Sequence, residues 1–123
     1  MDSPPPQESD VDCIFCKIAR HEAQAQLLFE NERIIAFRDI FAQAPTHFLV
    51  IPKTHHASLD AVGDEHDALL GELLGTARRL ARELGVAASG YRTVINCHQD
   101  GGQSVDHLHL HVLAGRRLSW PPG

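Results

Sequence analysis

From position 107 the chain reads H-L-H-L-H-V-L, so imidazole and aliphatic side chains alternate with a period of two. A β-strand has that side-chain period, and it sends His107, His109 and His111 to one face and Leu108, Leu110 and Val112 to the other. The aliphatic face must pack on a core, which turns the imidazoles toward a cleft or solvent. Same-face positions stand roughly 6.5 Å apart along a strand. At that spacing two rings can converge on a metal ion, or one can act as a nucleophile flanked by the others. An unperturbed imidazole, with a pKa of about 6.5, is mostly neutral and nucleophilic at pH 7, and its cationic form binds phosphate oxygens. Just upstream, Gly101 and Gly102 allow backbone amides to approach an anion, and Ser104 offers a hydroxyl. That loop suits phosphate, and it equally suits a hairpin turn.

The rest of the chain supplies what such a strand needs. Residues 1–12 hold three consecutive prolines among acidic and polar residues and read as a disordered tail, leaving 13–123 as one domain. "CIFCKIARHEA" suits a short helical turn. Leu27 to Phe29 and Ile34 to Phe37 form a strand pair around a Glu30-Asn31-Glu32 turn, and "THFLVIP" is a third strand bounded by Pro45 and Pro52. From Asp64 to about Leu84 apolar residues recur at three- and four-residue steps, with acidic residues first, arginines last and Gly85 after them: one amphipathic helix. Gly71 and Gly75 inside it suggest a close neighbour. "YRTVINC" and "DHLHLHVLAG" are two more strands joined by the polar "HQDGGQS". Short links between strands favour an antiparallel sheet with the helix on one face, an α+β domain.

At 123 residues and 43% hydrophobic, the chain suits one core rather than two. Its formal net charge of -5, with both signs interspersed, offers no cationic track for nucleic acid. No apolar run reaches the length of a membrane span, and the start lacks a secretory layout, so a cytoplasmic protein is expected. The three cysteines cannot make a disulfide framework. Cys13 and Cys16 form a C-x-x-C, open to reading as a metal half-site, a redox motif or coincidence.

"HLHLHVL" resembles the signature of the histidine-triad (HIT) superfamily, and "GGQSV", "RDI", "PTHFLVIPKTHH" and "SWPPG" make the likeness specific to its Hint branch of purine nucleoside phosphoramidases. The resemblance implies a HIT-like α+β fold: a five-stranded, mainly antiparallel sheet with one long helix and a short N-terminal one. It also implies a homodimer that hydrolyses the P–N bond of purine nucleoside phosphoramidates. By that likeness His109 is the nucleophile that carries a transient nucleotidyl group, and Ser104 helps protonate the leaving amine. His111 and Asn96 would contact the α-phosphate, Gly102, Gln103 and Ser104 would line it, and His47 would stand near it. Asp39, with Ile40 beside it, would hold the ribose; Phe15, Ile18 and Phe37 would form the purine pocket; Trp120 would reach a partner subunit's site.

The same resemblance implies a structural Zn²⁺ held by Cys13, Cys16, His55 and His107, with His56 the rival of His55. Two positions depart from the family pattern. His98 stands where glycine is usual, although histidine tolerates a left-handed backbone better than most residues, and Asp106 stands where an aliphatic or aromatic residue is usual. Alternative readings are hydrolysis of dinucleoside polyphosphates, purine-nucleotide binding without turnover, and a metal site that consumes all three triad histidines.

Overall fold

The computed structural model describes residues 12–123. The expected tail, 1–12, lies outside the described residues except for Asp12. In chain order the elements are α1 (Ile14–Ala19), β1 (Leu27–Glu30), β2 (Ile34–Arg38), β3 (Thr46–Pro52), a 3-10 turn (Asp64–His66), α2 (Asp67–Glu83), β4 (Tyr91–Val94), α3 (His98–Gly101) and β5 (Leu110–Ala114). The strands form one antiparallel sheet in the order β1-β2-β3-β5-β4, the α+β architecture expected. The near-continuous apolar run "FLVIP" explains why β3 takes the centre, because a strand covered on both faces has no polar side to show.

Parity divides the sheet. Even-numbered side chains Ile34, Ala36, Phe48, Val50, Leu110 and Val112 pack with Leu73, Ala77 and Leu80 of α2. Odd-numbered Ile35, Phe37, Leu49 and Ile51 pack with Phe15, Cys16 and Ile18 of α1. Leu73 is wholly buried, and its burial contributes on the order of 2 kcal/mol. The even face is therefore the core under the long helix, and the odd face builds the site.

Three boundaries differ from the sequence reading. The histidine strand starts only at Leu110, so among the three triad imidazoles only His111 lies within the ladder. The cause is local: the Leu108 N–H donates to the His56 carbonyl at 2.6 Å, and Pro52 has no N–H to extend β3. "YRTVINC" leaves the sheet after Val94, and its continuation folds into α3 rather than an open loop. The long helix begins as a 3-10 turn and ends where expected. There Gly85, at φ 76°, donates to Arg82 and Val86 donates to Ala81, a Schellman closure. The expected close neighbour of Gly71 and Gly75 is not found among the described residues. A Cβ at Gly71 would meet nothing within 4 Å, and one at Gly75 would meet only the tip of Arg79.

Gly115 is a different case. Its φ is +95°, and a Cβ there would stand 2.8 Å from the Cβ of Pro45. Gly115→Ala is therefore expected to lower the free energy of unfolding by about 1–3 kcal/mol through backbone strain and overpacking. Urea denaturation checks this, and an unchanged midpoint would mean that Pro45 yields freely.

Candidate active site and metal cluster

The odd face opens into a cleft of about 370 Å³ against α1 and the loop after β2. Phe15, Ile18, Phe37, Asp39, Ile40, Ser104, His109 and His111 all line it. Parity explains most of this set: Phe37 and Asp39 follow from β2, and His109 and His111 enter and form β5. Phe15 contributes the inner wall. Its ring meets Phe37 edge-on with centroids 5.5 Å apart, and His109 edge-on at 5.1 Å. The remaining wall is mostly apolar, with Leu49 and Val105 at the back and the exposed Phe41 at the mouth.

Hydrogen bonds fix the imidazole tautomers. His109 Nδ1 lies 2.7 Å from the His107 carbonyl, which can only accept, so Nδ1 carries the proton and Nε2 carries the lone pair. Burial lowers the pKa of His109, with the His107 carbonyl opposing, so the ring is neutral at pH 7. His47 accepts the Gln43 N–H on Nδ1 at 3.0 Å, so its own proton sits on Nε2. That Nε2 lies 2.9 Å from His111 Nδ1 and 3.3 Å from Asp39 Oδ2. His111 Nδ1 is then an acceptor, and the His111 proton is placed on Nε2. Burial pushes His111 down to about 4, reinforced by His109 and His47. Burial also outweighs the Asp39 carboxylate at His47, so at 3.3 Å a neutral ring stands beside the carboxylate rather than forming an ion pair with it.

Asp39 is fixed as well: its Oδ1 accepts the Phe41 N–H at 2.8 Å, a local turn that ends β2. The result is a part-buried chain from the Gln43 amide through His47 to His111, flanked by a carboxylate. Gln43 could not be found from the sequence, because its contribution is a backbone N–H. Phe41 did carry a signal, an aromatic two residues beyond Asp39.

The third triad ring faces elsewhere. His107 is fully buried, and its Nε2 donates to the Pro52 carbonyl at 2.8 Å, so Nδ1 presents a lone pair. That lone pair points at two thiols, Cys13 Sγ at 3.4 Å and Cys16 Sγ at 3.5 Å, and His55 Nδ1 lies 3.1 Å from Cys16 Sγ. The four ligand atoms of Cys13, Cys16, His55 and His107 all lie within 4.8 Å of one another, a cluster that could hold a metal ion. Burial pushes the His107 pKa to about 4, which keeps Nδ1 unprotonated. Cys13 also caps α1, where its Sγ accepts the Cys16 N–H at 3.3 Å. His56, the rival of His55, instead meets the ring of His66 at a tilt with centroids 5.1 Å apart and is not a member of the cluster.

The other expected site residues lie outside the cleft lining. Gln103 is occupied by the loop itself: its side chain donates to the Ala57 and Val105 carbonyls and accepts the His98 N–H. Gly102 closes α3 at φ +75°, and Asn96 lies under Gly101. His98 adopts φ 60°, a left-handed backbone, and its ring contacts Ser58. Trp120 is 82% exposed, at the end of a tail held by Arg92 on the carbonyls of Leu118 and Ser119. Asp106 is exposed, and Cys97 is half-buried.

Comparison with known proteins identifies the family and the fold. The HIT-domain family profile matches residues 20–118. An uncharacterised HIT-like protein of Synechococcus elongatus is 52% identical over 112 residues, covering 91% of this chain and 97% of the relative. The crystal structure of a HIT family hydrolase from Legionella pneumophila superposes with a TM-score of 0.89 at 50% identity, covering 91% of this chain and all of that one. A histidine triad nucleotide-binding protein from Candida albicans superposes at 0.73 with 30% identity, covering 88% of this chain and 82% of its own. By sequence profile, relatives and fold together, this chain belongs to the HIT family.

Proposed function

We propose that this chain is a hydrolase of purine nucleoside phosphoramidates that works through a covalent nucleotidyl-His109 intermediate. The observation that carries the reading is the orientation of His109: a neutral ring held through Nδ1–H, with its Nε2 lone pair left for the cleft. Phe15, Ile18 and Phe37 suit the faces and edges of a purine, and Asp39 beside Ile40 suits a ribose diol. His109 Nε2 attacks phosphorus, the P–N bond breaks, and the departing amine takes a proton from Ser104. Water then attacks the same phosphorus, gives one of its protons back to Ser104, and releases the nucleotide and a neutral His109. His111, with its proton on Nε2, donates to a phosphate oxygen as charge develops. Asn96, Gly102 and Gln103 belong to the phosphate side of this reading through backbone and loop shape.

Zn²⁺ suits the cluster of Cys13, Cys16, His55 and His107. Tetrahedral zinc with ordinary Zn–S and Zn–N bonds sets sulfur and nitrogen about 3.5 Å apart, close to the observed 3.1 to 3.5 Å. When bound, the ion supplies a cross-link between α1 and the sheet and no reaction chemistry, since four protein ligands close the site. A cytoplasmic homodimer, with Trp120 of one copy at the cleft of the other, completes the proposal.

The test is steady-state turnover of adenosine 5′-phosphoramidate beside diadenosine polyphosphate and beside nucleotide binding alone. Preferential hydrolysis of the phosphoramidate is expected. Faster cleavage of the polyphosphate, or nucleotide binding with no turnover of either compound, would replace this reading with one of the alternatives.

A further inference from the structure

The hydrogen bonds that set the tautomer of His111 begin outside the cleft. Gln43 is held on both sides: its N–H donates to His47 Nδ1 at 3.0 Å, while its carbonyl accepts from Arg116 Nε at 3.1 Å and Nη2 at 3.0 Å. The same guanidinium also donates through Nη1 to the Arg117 carbonyl at 3.3 Å. Arg116 follows Gly115, whose Cα passes so close to Pro45 that a Cβ would collide with it. Two successive residues after β5, the strand that carries His111, therefore grip the loop that presents the Gln43 amide. Arg116 itself is exposed and does not line the cleft. Its planar fork places two donors on one carbonyl, which fixes orientation as well as distance.

We infer that Arg116 is a positioning residue: by holding the Gln43 carbonyl it keeps the Gln43 N–H on His47, and so keeps the His111 proton on Nε2. The chain of consequence is short. Without the fork the loop shifts, His47 Nδ1 loses its donor, and the proton of His47 is no longer confined to Nε2. When that proton moves to Nδ1, His47 stops donating to His111 Nδ1, and His111 can take its own proton there. Its Nε2 then turns a lone pair toward phosphate oxygen in place of a donor. The kinetic part of this inference rests on the phosphoramidase reading above; the tautomer part does not.

Arg116→Met keeps the aliphatic stem and removes every donor, and Arg116→Ala serves as a second variant. Nitrogen-resolved NMR of the full chain reads the imidazoles directly. In the unaltered protein His47 and His111 are expected each to show a protonated Nε2 and a bare Nδ1; in both Arg116 variants these signals move toward a mixture of tautomers. Arg92→Ala, which frees the tail at Leu118 and Ser119 instead, is expected to leave them in place. Turnover of adenosine 5′-phosphoramidate should lose about 10-fold in kcat with KM changed less than about 2-fold, as for weakened proton positioning. Unaltered tautomers in the folded Arg116 variants overturn the inference even if turnover falls. An equal shift in Arg92→Ala overturns it too, because the effect would then be general loosening of the tail. A tautomer shift in a protein with no phosphoramidate turnover supports the positioning role and removes the enzymatic reading instead.

Discussion

His109→Ala is expected to lower kcat/KM for adenosine 5′-phosphoramidate by at least about 10³-fold, the loss typical when a covalent nucleophile is deleted. AMP should still bind within about 3-fold of the unaltered affinity, because Phe15, Ile18, Phe37 and Asp39 remain. The ring also fills space against Phe15 and satisfies the His107 carbonyl, so the variant should lose roughly 2–4 kcal/mol of stability. His109→Asn retains an N–H donor at that position and separates chemistry from folding: it should be as inactive and less destabilised. Mass spectrometry of acid-quenched reactions checks the intermediate, with an adduct in the unaltered protein and none in either variant. Turnover within 10-fold of normal in a folded His109 variant would end the covalent mechanism.

Cys16→Ser should empty the proposed zinc site and cost about 3–4 kcal/mol when zinc is present a few hundred-fold above its dissociation constant. Cys16 is buried and close to both His55 and His107, so its thiol serves two edges of the cluster at once. A serine oxygen is a poor substitute for thiolate, and α1 has only six residues, too few to hold itself without tertiary anchors. Elemental analysis should find about one zinc per chain in the unaltered protein and almost none in the variant. A chelator should lower the urea midpoint of the first and leave the second where it is, since the same interaction cannot be lost twice. Full zinc content in Cys16→Ser, or an unaltered protein indifferent to chelation, would count against the site.

Sequence periodicity located most of the framework because its signals are one-dimensional. Pro45 and Pro52 around the apolar run in "THFLVIP" give β3 its boundaries, and the three- and four-residue steps with Gly85 give α2 its end. The histidine segment misled in one respect: strict alternation from 107 to 112 suggested a continuous ladder, yet His107 and His109 lie before it. Hydrogen bonds to Pro52 and to the His56 carbonyl decide that, and no pattern in the chain encodes them. The site divided similarly. Side chains that stand in the cleft or in the cysteine-histidine cluster, such as His109, Asp39 and the cysteine pair, could be named in advance with help from the family likeness. Gln43, which acts through its backbone, and Arg116, 73 residues away in sequence, could not. Gln103 shows the converse, a polar residue in the expected loop whose side chain is committed to holding that loop together.

Because cleft-facing and helix-facing positions interleave on β2, β3 and β5, the two sides of this sheet can vary almost independently. Substitutions at 37, 39, 49 or 111 change the cleft lining without touching the hydrocarbon layer beneath α2. A single inserted residue within β3 would do the reverse, carrying His47 into that layer and Phe48 into the cleft at one stroke. This scaffold should therefore tolerate point changes on its working side far better than any change in strand length.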